Sequence, residues 1–174
     1  MGVMAEKGLN ATAAALLGLL HEGAMTGGQL MAAAESRLGP FWTTTRSQVY
    51  RELPVLAERG YVRTGKPGPR SSQPYVLTAA GKRAFSRWLS ESAGRDQLRN
   101  PLLLRAAFGR LHNDKQLQQL YEAQGEVHAQ RLTELREELK EAKKADDPFR
   151  VATLEFAITY QRALTKWLDT APQL

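Results

Sequence analysis

The stretch TTTRSQVYRELPVLAERGYV, residues 43–62, decides how the rest of the chain reads. From Arg46 to about Arg59 the apolar positions Val49, Leu53 and Leu56 recur at i, i+4 and i+7, the spacing of one buried helical stripe. Thr45 with Gln48 three residues on has the form of a capping box, and Gly60 stands where a glycine commonly ends a helix. Off the stripe lie Arg46, Ser47, Tyr50, Arg51 and Pro54, so the outward face gathers hydrogen-bond donors near the helix N-terminus. Free N–H groups there suit phosphate, and side chains there suit base edges. Gln48 can pair with adenine and an arginine with guanine, either can hold a phosphate, and Gln48 can equally do no more than close the capping box. Pro54 removes an amide donor inside the helix at a cost of about 3 kcal/mol, so a kink or an early end is expected there.

Upstream, Asn10 is placed to cap a helix over ATAAALLGLLHE, with Leu16, Leu19 and Leu20 on its buried side and Gly23 at its end. Thr26 and Gln29 repeat the capping-box spacing ahead of QLMAAAESRL, which Gly39 and Pro40 stop. Downstream of Gly60 the period changes to that of strands. YVRTG and QPYVLT flank the turn-rich KPGPRSS and read as a hairpin with a basic tip carrying Lys66 and Arg70. Tyr61, Val62, Tyr75, Val76 and Leu77 are expected to cover the helices. Thr78 then caps a fourth helix with Phe85, Trp88 and Leu89 on one side. Three helices followed by a hairpin is the order of a winged helix-turn-helix, whose third helix enters the major groove while the wing flanks it.

The second half has another character. SAGRDQLRN reads as a linker, giving a winged-helix domain over 1–92 and an α-helical domain over 93–174, with Asn100 and Pro101 starting PLLLRAAFGRLH. Asn113 and Gln116 open a long helix with the stripe Leu117, Tyr121, Gln124, His128, Leu132, Leu135 and Leu139. Asp147 and Pro148 break and restart the chain. The last helix carries two apolar rows, Phe156, Tyr160, Ala163, Trp167 and Val151, Leu154, Ile158, and so needs covering from more than one side. Self-association is the expected cover, with Leu154, Phe156, Ile158, Tyr160 and Trp167 as the dimerisation residues. The expected fold is mainly α with a small β-hairpin: an N-terminal winged helix-turn-helix and a C-terminal helical dimerisation segment.

Composition sharpens this reading. The 174 residues carry a net charge of +6, and residues 41–90 hold nine bases against Glu52 and Glu58 alone, so the excess sits in one block that suits a polyanion. With no cysteine there is no disulfide, zinc knuckle or thiol nucleophile. No apolar run approaches the roughly 18 residues of a membrane span, and Glu6 with the helix signals behind it makes the start a poor secretory signal, so the expected compartment is the cytoplasm. His21, His112 and His128 are scattered, which leaves no metal site. GKPGPR lacks the GK[ST] ending of a phosphate loop, and Glu134, Glu137, Glu138 and Glu141 among Arg131, Arg136, Lys140 and Lys143 read as helix-surface pairing. No nucleophile, base and orienting group occur together, and no catalytic residue or cofactor is expected.

FWTTTRSQVYRELPVLAERGYV followed by QPYVLTAAGKRAF resembles the PadR family of bacterial transcriptional regulators, whose pattern is roughly FW, a small-residue stretch, SQIYREL, L, GLV, then YSLT and AGR. LRNPLLLRAAF resembles that family's C-terminal helical segment, so the likeness spans nearly the whole chain. The resemblance implies a dimeric repressor, with Ser47, Gln48, Tyr50 and Arg51 matching the recognition helix and Lys66 to Ser72 the wing. Thr43 to Thr45 replace a proline-containing lead-in, so a looser start to the third helix is expected.

The expected DNA contacts are therefore Thr44, Thr45, Arg46, Ser47, Gln48, Tyr50 and Arg51 on the helix, with Lys66, Arg70, Ser71 and Ser72 on the wing. The resemblance also implies a small aromatic effector held between the two regions. Trp42, Trp88 and Trp167 are candidates to line its site, although aromatics at helical spacing are more often core. The function expected is sequence-specific regulation of transcription by a homodimer on an inverted-repeat operator in double-stranded DNA. The alternative is a winged-helix protein-interaction module without sequence-specific DNA binding.

Overall fold

The computed structural model describes residues 8–66, 73–95 and 98–171. The chain divides into two compact units, one ending at Gly94 and the other starting at Arg95. In the first, α1 (Ala11–Leu19) starts where the Asn10 side chain accepts from the Ala13 amide at 2.8 Å, and it closes in a 3-10 turn, Leu20–Glu22. α2 (Gly27–Leu38) and α3 (Arg46–Glu58) each open on a closed capping box, Thr26 with Gln29 and Thr45 with Gln48. α1 packs against α2, α3 and α4 (Ala79–Ser90), and Leu16, Leu17, Leu30, Val49, Leu53 and Leu56 interlock in one core.

The wing strands are β2 (Val62–Thr64) and β3 (Pro74–Leu77), antiparallel with Val62 opposite Leu77 and Thr64 opposite Tyr75. A third strand, absent from the sequence-based expectation, completes the sheet: β1 (Met25–Thr26) pairs with the other edge of β3, Met25 opposite Tyr75 and Thr26 opposite Pro74. Thr26 thus belongs to the sheet and caps α2, so the wing and the helix pair are fastened at one residue. Pro74 sits at the first position of the central strand, where its missing N–H is tolerated. Thr78 fastens the far end: its hydroxyl donates toward the Gly60 and Tyr61 carbonyls at 2.7 and 3.0 Å and accepts from the Gly81 amide at 3.0 Å. Gly60 turns there at φ +68°. A Cβ on Gly81 would run into the Tyr61 carbonyl oxygen, so this crossing needs glycine.

In the second unit α5 (Pro101–Ala107) and a 3-10 turn (Gly109–Leu111) precede α6 (Asp114–Lys144) and α7 (Pro148–Thr170), which pack along each other as an antiparallel pair. Leu102, Leu117, Tyr121 and Leu168 form one apolar cluster, and Leu135, Ala142, Leu154, Ala157 and Ile158 form another. His128 bonds to Gln161 at 2.7 Å on the long helices, and the Asn100 amide donates to the Tyr160 hydroxyl at 2.9 Å. Tyr121 meets Trp167 edge-on, with centroids 5.7 Å apart.

Several expectations need correction. α3 runs unbroken through Pro54, which lies on its solvent face, so the helix is not shortened there. The start of α3 is not loose, because Thr45 binds both Gln48 and Ser47. Of the three residues expected on one side of α4, Phe85 packs against the core, Trp88 stacks on Phe85, and Leu89 stands exposed. None of the three tryptophans is fully buried: Trp88 and Trp167 are half-buried and Trp42 is exposed. Leu154 and Ile158, expected at a dimer interface, are buried against α6 of their own chain, which leaves them no surface for a second copy.

Candidate nucleic-acid interface

The N-terminal turns of α3 bring Thr45, Arg46, Ser47, Tyr50 and Arg51 to solvent, with Thr44 and Gln48 half-buried beside them and Val49 in the core. The Thr45 amide donates to Gln48 Oε1 at 2.8 Å, and the Gln48 amide donates back to Thr45 Oγ1 at 3.3 Å. Thr45 Oγ1 also lies 3.1 Å from Ser47 Oγ. The box satisfies an amide that a helix start would leave orphaned, and it takes up the Gln48 oxygen in doing so. While the box is closed Gln48 has only its NH2 group for DNA. A bidentate pair with adenine needs both ends of that amide. Thr44 Oγ1 is buried without a hydrogen-bond partner among the described residues.

Arg46 lies over the Tyr50 ring with its guanidinium carbon 5.3 Å from the centroid. Tyr50 in turn rests on the first turn of α2: a Cβ on Gly27 would stand 2.9 Å from its Cζ. Glycine at that position therefore makes the seat for the phenol, and the phenol steadies the arginine. Arg51 points outward, its side chain 69% exposed, with Nε 3.5 Å from Glu52 Oε1. Lys66 is exposed beyond the end of β2, while Arg70, Ser71 and Ser72 lie outside the described residues.

Two partners of this face escape sequence reasoning. Glu52 is buried, and its Oε2 accepts from the Asn10 Nδ2 at 3.0 Å, a bond across 42 residues. The signal was present in its spacing, since position 52 follows Val49 by three and precedes Leu56 by four, which places it beside the apolar stripe. Gly27 carries no comparable signal, because only the fold brings Tyr50 to it. Among the described residues no group of histidines and carboxylates could hold a metal ion, and no helix is long and apolar enough to cross a membrane.

Comparison with known proteins agrees with this architecture. Residues 16–87 match the family model of PadR-like transcriptional regulators, and residues 98–174 match the C-terminal model of virulence activator alpha. The chain is 26% identical over 159 residues to the negative transcriptional regulator PadR of Bacillus subtilis, covering 89% of this chain and 86% of that one. Residues 16–87 thus place the first unit in the PadR-like family. Its fellow PadR-family proteins are regulators of transcription, not enzymes. Three solved structures share the fold along most of their length. A PadR-like regulator of Bacillus cereus superposes with a TM-score of 0.78 at 19% identity, covering 91% of this chain and 94% of that one. Bacillus subtilis PadR in complex with operator DNA gives 0.75 at 24%, covering 92% and 96%. The same PadR in complex with p-coumaric acid gives 0.67 at 22%, covering 92% and 95%.

Proposed function

We propose that this PadR-family regulator binds double-stranded DNA sequence-specifically as a cytoplasmic homodimer and represses transcription from an inverted-repeat operator. The observation that carries the reading is the outward face of α3. It opens on a closed capping box, presents Arg46, Ser47, Tyr50 and Arg51 to solvent, and lies in the same unit as a basic wing. Ser47, Arg46 and Arg51 are the groups for base edges and phosphates of one major groove, with Thr45 and Gln48 holding the helix start. Lys66, with Arg70, Ser71 and Ser72, clamps the flanking phosphates. The B. subtilis relative held on operator DNA supports the same use of this fold.

Selection of bound fragments from genomic DNA, followed by gel shift against competitor, is the test. The expected result is an inverted repeat bound far above competitor DNA. Binding without sequence preference would overturn the reading and leave a winged-helix module for protein partners.

A small aromatic effector belongs to the same proposal, supported by the p-coumaric acid complex of the relative. A cavity of about 320 Å³ on the second unit does not suit an aromatic acid, because Glu122 and Asp169 line it beside Tyr121. Titration of p-coumaric acid against tryptophan fluorescence and operator affinity together is the measurement. A ligand that quenches fluorescence should weaken operator binding by a coupling of about 1–3 kcal/mol, and quenching without that change rules out the effector role.

A further inference from the structure

We propose that Glu52 positions Arg51 on the recognition helix and so sets how well this regulator separates its operator from other DNA. The inference rests on the DNA-binding reading above. Glu52 is the one charged residue that is buried among those described, 7% exposed. Both its oxygens are engaged: Oε2 accepts from Asn10 Nδ2 at 3.0 Å, and Oε1 lies 3.5 Å from Arg51 Nε. Asn10 is itself fixed, because its Oδ1 caps α1 through the Ala13 amide at 2.8 Å. A line of contacts thus runs from the start of α1 through Asn10 and Glu52 to an arginine that is otherwise in solvent.

Stability alone does not account for a carboxylate here. A buried charge is costly, and an apolar or amide side chain would fill the position beside Val49 and Leu56 at less cost. An anion next to a face meant for DNA also weakens binding to every sequence alike. What the carboxylate supplies is direction. It pairs with Arg51 through Nε, which leaves the Nη1 and Nη2 groups for a second acceptor, the geometry of a bidentate contact with guanine or phosphate. With its arginine in solvent the pair adds little to folding, so its effect should be read in selectivity.

The test is a double-mutant cycle on the full chain, with affinities for a selected operator and for random duplex. Glu52→Gln keeps the side-chain shape and an oxygen for Asn10. It is expected to leave random-DNA affinity equal or higher while the operator-to-random ratio falls about tenfold. In an Arg51→Ala background the same change should leave the ratio where it was. An unchanged ratio in the wild-type background, or an equal fall with and without Arg51, overturns the proposal. Should Glu52→Gln fail to fold by circular dichroism, Asn10→Ser carries the same cycle, since serine still caps α1 but gives Glu52 no amide donor. A smaller fall in the ratio, confined to chains with Arg51, supports the proposal, and an equal fall in both backgrounds overturns it. A wild-type chain with no preference for any duplex removes the DNA-binding reading itself and this inference with it.

Discussion

Gln48 gives its amide oxygen to the backbone of Thr45, and a side chain so held serves the helix before it serves a base. Arg51 and Lys66 have no such duty, and the three residues should fail in different ways. Gln48→Ala is expected to lower thermal stability by about 1 kcal/mol and to weaken operator and random DNA by the same factor. Arg51→Ala should cost about 1–3 kcal/mol on the operator and little on random DNA, because a helix fixes its direction. Lys66→Ala should weaken both and flatten the slope of log affinity against log salt by about 0.9. Affinities at several salt concentrations on both duplexes check all three, and a selective loss of operator binding in Gln48→Ala would reverse the assignment. Gly27 makes a further prediction at this scale. Gly27→Ala pushes a methyl against the Tyr50 ring, displacing the platform under Arg46. Operator affinity should fall by more than the accompanying loss of stability explains, and a variant that binds as tightly as the parent would remove Tyr50 from the site.

Among the elements, α3 carries the clearest excess cost. Pro54 lies in the middle of a helix that continues through it, and the ring deletes the amide that would have bonded to the Tyr50 carbonyl. Pro54→Ala restores it. The gain in helix propensity is about 3 kcal/mol, reduced by the roughly 0.4–1 kcal/mol that proline contributes by restricting the unfolded chain, so denaturant melts should show a gain of about 2 kcal/mol. An unchanged midpoint would mean that the fold has already offset the proline elsewhere. What was legible at this scale was what is encoded locally. The capping boxes at Thr26, Thr45 and Asn113 and the α3 stripe each need residues only three or four apart, and all are found as read. β1 was illegible because a two-residue strand exists only through Tyr75 and Pro74, about 50 positions away. Glu52 entered the sequence reading only as one of two acids in a basic block, because its partner Asn10 is 42 residues distant. The two apolar rows of α7 were legible, but not which of them α6 of the same chain would take.

At the scale of the whole molecule that division decides where a second copy can sit. The inner row of α7, Leu154 and Ile158 with Leu164 and Leu168, is buried in its own chain. The outer row is not: Phe149 and Phe156 are 83% and 65% exposed, and Ala163 continues them at seven-residue steps. Tyr160 and Trp167 flank this row half-buried. Large apolar groups aligned on one helix face are a surface that association removes from water, and a two-fold axis would set the same row of each copy against the other. The two rows therefore predict opposite defects. Phe156→Glu should leave the unfolding midpoint near that of the parent while sedimentation at micromolar concentration shows a monomer. Leu154→Ala should cost about 2–5 kcal/mol of stability, the cavity term of a core leucine, without placing any charge on the outer row. Operator binding links the two measurements. Two recognition helices related by a two-fold axis reach half-sites whose centres lie about one helical turn, roughly 34 Å, or a multiple of it apart. Phe156→Glu should consequently shrink the protected region to a single half-site and lower affinity for the full operator, while leaving affinity for an isolated half-site unchanged. A Phe156→Glu chain that still sediments as a dimer and protects the whole operator would place the dimer contact on another face.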